Sequence, residues 1–146
     1  MRALAYFLGI VAGFGLSVQV GMNTQLRKVL QSPNSAALVS FLVGTVALLV
    51  LLLALRTPLP TRDTLAAVPV WAWFGGLFGA FYVASSAVVA SEIGATSLLV
   101  LALLGQLATA LVIDHFGWLG LPVHPLTWMR IAGVVLVGVG VWLITR

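Results

Sequence analysis

Apolar positions run in long uninterrupted blocks along this chain, and polar positions mark where the blocks end. Residues 3–26, 29–55, 64–91 and 93–113 contain no Asp, Glu, Lys or Arg. A helix rises about 1.5 Å per residue and a bilayer core takes roughly 20 residues to cross, so each block is long enough to span. A further apolar segment, 126–145, holds Arg130 one turn inside its start, where a long side chain reaches back to the headgroups. The pattern predicts an all-α membrane protein of five transmembrane helices, approximately 3–26, 34–55, 69–90, 95–113 and 126–145. Together they are expected to form one domain over residues 1–146.

Turn and cap residues fall where those spans need them. Ser32 before Pro33 suits an N-cap followed by the first helical position of span two; Pro58 and Pro60 close that span after Arg56, and Pro69 opens span three. Pro122 and Pro125 bracket the connection into span five. Trp71 and Trp73 at the start of span three, and Trp128 and Trp142 near opposite ends of span five, match interfacial belts. No small-x-small cleavage site ends the first block, where polar Gln19 and Asn23 arrive instead, so the block is expected to remain as a span and not to be a signal peptide.

Composition sharpens this picture by exclusion. Of 146 residues, 62% are hydrophobic and only 7% charged, which no water-soluble fold of this size covers. The formal charge of +4 is spread over seven basic residues placed singly or in one pair, a membrane-flank pattern and not a nucleic-acid surface. There is no cysteine, and two His with three scattered acids give neither a metal set nor an acid/base pair at recognisable spacing. The Gly-rich stretches lie inside apolar helices, where glycine serves packing and not phosphate binding. No enzyme, no cofactor and no metal is expected; the expected environment is a lipid bilayer, crossed several times.

The basic residues nearly balance across the membrane. With the N-terminus on side A, that side collects Arg2, Arg56, Arg62 and Arg130, and side B collects Arg27, Lys28 and Arg146. The positive-inside rule works through such differences, and one charge is a small one. Two outcomes follow: dual topology, with two copies pairing antiparallel, or a single orientation fixed by the excess charge and its loop context. An odd number of spans favours the first geometry, because a tandem copy of five helices enters upside down, the inverted symmetry used in alternating access.

Several motifs resemble one family. Gly105 and Gln106, followed by Ile113, Asp114, His115, Phe116 and Gly117, are similar to the GQ…IDHFG signature of the YdcZ-like transporters, a five-helix branch of the drug/metabolite transporter superfamily. Gly13 to Leu26 with Asn23, the Ser40, Phe41, Gly44 start of span two, and Trp73, Gly75, Gly76, Gly79, Phe81 and Tyr82 fit the same pattern, so the likeness covers nearly the whole chain. It implies a small transporter of small molecules acting as a dimer, homomeric or with a close relative. It also implies kinship with ten-helix carriers built from inverted five-helix halves, and it names no cargo.

Polar groups inside the spans are the candidate site. Gly15, Gln19, Asn23 and Arg27 recur every four residues on one face of span one, and at that depth such side chains face protein or water. They form either a cavity wall offering amide groups to a substrate or interhelical hydrogen bonds; Arg27 reads as an interfacial flank. Gln106 lies about 12 Å before Asp114 along span four, near mid-membrane, and needs a polar partner or a wet site. In span three Trp71, Gly75, Phe78, Tyr82 and Ser86 share one side, and Gly76, Ala80, Ala84 and Ala87 form a smooth ridge on another. Gln19, Asn23, Tyr82, Ser86 and Gln106 are the expected substrate contacts. Gly76, Ala80, Ala84, Gly133 and Gly140 are expected at helix-packing or dimer surfaces.

The acidic residues discriminate by position. Asp63, Glu92 and Asp114 all stand at span boundaries, so the buried glutamate that four-helix multidrug exporters use for protons and cations has no counterpart in span one. Neutral or anionic cargo fits better. Asp114 with His115 offers either proton coupling or a helix-end cap, His124 reads as a loop residue, and Glu92 reads as a solvated link residue that reaches a cavity only if Gly94 breaks the helix. Two function classes stand: a secondary carrier, or a non-transporting membrane subunit or scaffold in which Gln19, Asn23 and Gln106 are satisfied by neighbouring helices with no connected cavity.

Overall fold

The computed structural model describes residues 2–146, with side chains from residue 3 onward, and every regular element among them is helical. In chain order these are α1 (Arg2–Leu30), α2 (Pro33–Ala54), the short α3 (Arg62–Ala66), a 3₁₀ segment (Val70–Phe74), α4 (Gly75–Ile93), α5 (Ala95–Phe116), a 3₁₀ turn (Trp118–Gly120) and α6 (Trp128–Ile144). Four stretches are long and apolar enough to cross a membrane: Ala3–Leu30, Pro33–Ala54, Val70–Ile93 and Ala95–Phe116. The fifth expected span corresponds to α6, which is apolar but 17 residues long. α1 continues past Gln25 and Leu26 through Arg27 and Lys28, and α5 continues through Asp114 and His115; charge marks where the hydrocarbon ends, not where helical hydrogen bonding does.

The capping chemistry is local and specific. Ser32 is extended (φ −149°, ψ 120°), its hydroxyl oxygen accepts from the Ser35 N–H at 3.2 Å, and Pro33 fills the first helical position, where a missing N–H costs nothing. α2 ends with Arg56 in the left-handed region (φ +51°). The Thr57 N–H returns to the Leu52 carbonyl and the Arg56 N–H to that of Leu53, a Schellman closure that hands the chain to Pro58. Pro69 caps the 3₁₀ segment, which leads directly into α4. Gly94 alone separates α4 from α5, at φ +85°, a conformation that side chains resist.

The chain forms two compact units, Met1–Ser91 and Glu92–Arg146. In the first, Gln31 and Ser32 make a two-residue connection, so α1 and α2 lie antiparallel side by side. Its buried positions are Val20 and Asn23 on α1, Ala36 and Ala37 on α2, and Val83, Ser86 and Ala87 on α4. Three of these seven are alanine: without a hydrophobic force between helices in lipid, small side chains let backbones approach. In the second, α5 packs against α6, whose Gly138 comes so close that an added Cβ would sit 3.9 Å from Leu104 Cδ1.

Large apolar side chains such as Phe14, Leu53 and Phe78 point outward, an arrangement untenable in water and natural in lipid. The hydroxyls within the helices turn back on their own backbone. Ser17 donates to the Gly13 carbonyl at 3.1 Å, Thr24 to Val20 at 2.8 Å and Thr45 to Phe41 at 2.8 Å, so these three protons are satisfied within their own helices.

Candidate functional site

The four-residue stripe of α1 passes from open surface into the interior as it climbs. Gly15 has open space around it, Gln19 is half-buried, Asn23 is 2% exposed, and half-buried Arg27 donates from Nη1 to Ser91 Oγ at 2.7 Å. Ser91 in turn donates to the Val88 carbonyl at 2.6 Å, so one hydroxyl serves both as acceptor for the guanidinium and as donor to its own helix. This contact ties α1 to α4. Asn23 lies four residues before it on α1 and Ser86 five before it on α4, about 6 and 7.5 Å along the two axes. The two most deeply buried polar side chains therefore stand at matching depth. Ser86, also 2% exposed, donates to the Val83 carbonyl at 2.9 Å. Tyr82, one turn before it, is half-buried.

Two cavities adjoin these helices. Gln19 lines a half-open pocket of about 230 Å³ with Ser40 and the exposed Phe41, Gly44, Thr45 and Leu48, one face of α2. A wider, open groove of about 660 Å³ runs between α2 and α4, with Asn34 and Ser85 as its polar side chains among Leu38, Phe41, Leu77, Phe81 and Val88. Ala80 and Ala84, expected at a packing surface, line this groove. Phe41 borders both cavities, and its ring lies against Gly79, where an added Cβ would be 3.2 Å from Cζ.

In the second unit Gln106 is exposed on α5, midway along an apolar helix. Gly133 and Gly140 of α6 have open space beside them, as Gly76 does on α4, and Val141 is the buried position of α6. Asp114 and His115 belong to a hydrogen-bonded turn. Arg130 forms an ion pair with Asp114 and donates to the His124 carbonyl at 2.8 Å; the His124 N–H donates to the Asp114 carbonyl at 2.8 Å, and the Leu126 N–H to His115 Nδ1 at 3.2 Å. Glu92 is exposed beside the Gly94 break.

The sequence pattern singled out neither Ser40 and Thr45 opposite Gln19, nor Ser91 as the partner of Arg27, nor Arg130 as the partner of Asp114. The first was within reach, because Ser40 and Gly44 repeat at the four-residue spacing that marks the α1 stripe, with Thr45 beside them.

Comparison with known proteins points to one family. The family described as "Putative inner membrane exporter, YdcZ" matches residues 4–143. The inner membrane protein YdcZ of Escherichia coli (strain K12) is 31% identical over 140 residues, covering 94% of this chain and 91% of its own. No solved structure matches the chain. A helical chain whose long apolar segments cross the bacterial inner membrane several times, and which matches one family model from residue 4 to residue 143, belongs to the YdcZ family.

Proposed function

We propose that this protein is a secondary carrier that moves neutral or anionic small molecules across the inner membrane by alternating access, without catalysing a covalent reaction. The observation that carries the proposal is a half-buried amide, Gln19, facing a pocket on α2 at membrane depth in a member of an exporter family. Such a group is costly in lipid unless it is partnered or wet. Asn23, Tyr82 and Ser86 on α1 and α4 supply further hydrogen-bonding groups in the first unit, and Gln106 on α5 is a separate candidate contact in the second. With Asp63, Glu92 and Asp114 all at span boundaries, a lipophilic cation would find no counter-charge inside a span.

The working unit of this proposal is an antiparallel dimer of five-span chains, a second copy or a close relative supplying the inverted half. α6 is the fifth span: 17 residues give about 25 Å, and local bilayer thinning with Arg130 reaching to the headgroups accommodates the shortfall. The near-balance of basic residues and the open faces at Gly133 and Gly140 support the pairing. Uptake into liposomes containing the purified protein tests the function. A panel of neutral and anionic metabolites should include one that enters faster than into protein-free liposomes, and Gln19→Ala should slow it. If folded protein moves none of them, the carrier is wrong and a non-transporting subunit replaces it.

A further inference from the structure

We infer that the pocket between Gln19 and the Ser40–Leu48 face of α2 is a water-filled subsite for an uncharged solute carrying both hydrogen-bond donors and acceptors, as hydroxyl or primary amide groups. This rests on the carrier proposed above and narrows its cargo.

The depth comes first. Gln19 precedes Arg27 by eight residues, about 12 Å of helix, and Ser40 and Thr45 lie about 10 and 18 Å beyond Pro33, so the pocket sits well inside the hydrocarbon zone. At about 230 Å³ it has room for about seven waters, or one small solute of that bulk. Its lining is Gln19, Ser40, Phe41, Gly44, Thr45 and Leu48, with no ionisable group. A charged solute there would lose its hydration with nothing to balance it, whereas a neutral one exchanges hydrogen bonds.

The donors and acceptors are mixed. Gln19 offers an amide NH₂ and a carbonyl, and Ser40 a hydroxyl that rotates to give or accept. Thr45 has committed its proton to the Phe41 carbonyl at 2.8 Å, which leaves its oxygen lone pairs as acceptors. A partner that only accepts, or only donates, satisfies part of this set; a hydroxyl or primary amide group does both. Gly44 keeps the space open, since a Cβ there would meet nothing within 4 Å.

The chain contains no cysteine, so single-cysteine variants report directly on this pocket. Gly44→Cys adds a side chain where there is room. Val43→Cys, next along the helix and outside the pocket lining, is the lipid-side control. In inner-membrane vesicles a hydrophilic methanethiosulfonate should modify Gly44→Cys at least tenfold faster than Val43→Cys. Xylitol or malonamide in excess should slow that reaction at least threefold, the two distinguishing the hydroxyl from the amide source, while choline and gluconate should not. Equal labelling at the two positions means a dry pocket and overturns the inference, even if the protein transports. Protection by the charged solutes as strong as by the neutral ones, or protection by neither neutral solute, overturns the assigned chemistry. Selective protection in a protein that moves nothing in liposomes keeps the subsite and discards the carrier.

Discussion

Arg130, one turn into α6, forms an ion pair with Asp114 near the end of α5, and the same guanidinium caps the His124 carbonyl at 2.8 Å. One side chain thus closes the connection between two helices from both sides, since the His124 N–H already returns to the Asp114 carbonyl. Both partners are part-exposed, at 33% and 25%, so the charge pair itself is worth about 0.2–1 kcal/mol. Arg130→Lys should not restore what Arg130→Ala loses, because a compact ammonium cannot span the two acceptors as the planar fork does. Unfolding of Asp114→Ala, Arg130→Ala and the double variant in detergent should show each single loss near 1 kcal/mol and a double loss smaller than their sum. Strict additivity would mean the pair is not formed in the folded protein.

Gly117 follows α5 in the left-handed conformation, φ +63°, and an added Cβ would lie 2.6 Å from Val123 Cγ2. Both features act against any other residue: backbone strain of about 1–2 kcal/mol, and a collision with a stiff β-branched side chain. Gly117→Ala should therefore destabilise the protein by about 2 kcal/mol or more. Adding Val123→Ala removes the collision and leaves the strain, so the pair should recover part of the loss. Full recovery, measured as the unfolding midpoint, would show that φ at 117 relaxes freely.

Topology gives a third prediction, from charge alone. In an antiparallel homodimer, a reporter fused after Arg146 is found on both sides of the membrane. Lys28→Ala leaves four basic residues on the N-terminal side against two and should send the C-terminus to the periplasm. Arg56→Ala with Arg62→Ala leaves two against three and should hold it in the cytoplasm. Paired periplasmic-active and cytoplasmic-active reporters read the ratio. A wild-type chain reporting from one side only, unmoved by either change, would sink dual topology.

How far the sequence leads differs by kind of residue. Ser32–Pro33 and Pro58 mark the limits of α2 because caps and ring closure act within a few residues, and these were legible. The helices run on past the limits drawn from charge, through Arg27 and Asp114, whose side chains are held by Ser91 and Arg130. Such partners lie 64 and 16 residues away, beyond any helical period. Gly76, Gly133 and Gly140 show the converse: their small size was plain, but whether a neighbour uses it depends on how helices turn against one another, and around each the space is open. Asn23 stood out as polar in an apolar run, and its near-complete burial depends on packing that no local pattern encodes.

Phe41 separates the two cavities, and this leads to a last prediction. Its ring borders both the 230 Å³ pocket beside Gln19 and the 660 Å³ groove between α2 and α4, held in place against the Cβ-free surface of Gly79. Truncation to alanine removes the shared wall and leaves α2 helical, since alanine has the higher helix propensity. The joined space admits a disaccharide, which the small pocket alone cannot hold. With Gly44→Cys as reporter, sucrose should leave modification unaffected in the parent and slow it at least threefold in Phe41→Ala. Xylitol should protect parent and variant alike, because its binding groups, Gln19, Ser40 and Thr45, are the same in each. If sucrose protects the parent as well as the variant, Phe41 is not a wall, and the two cavities already act as one.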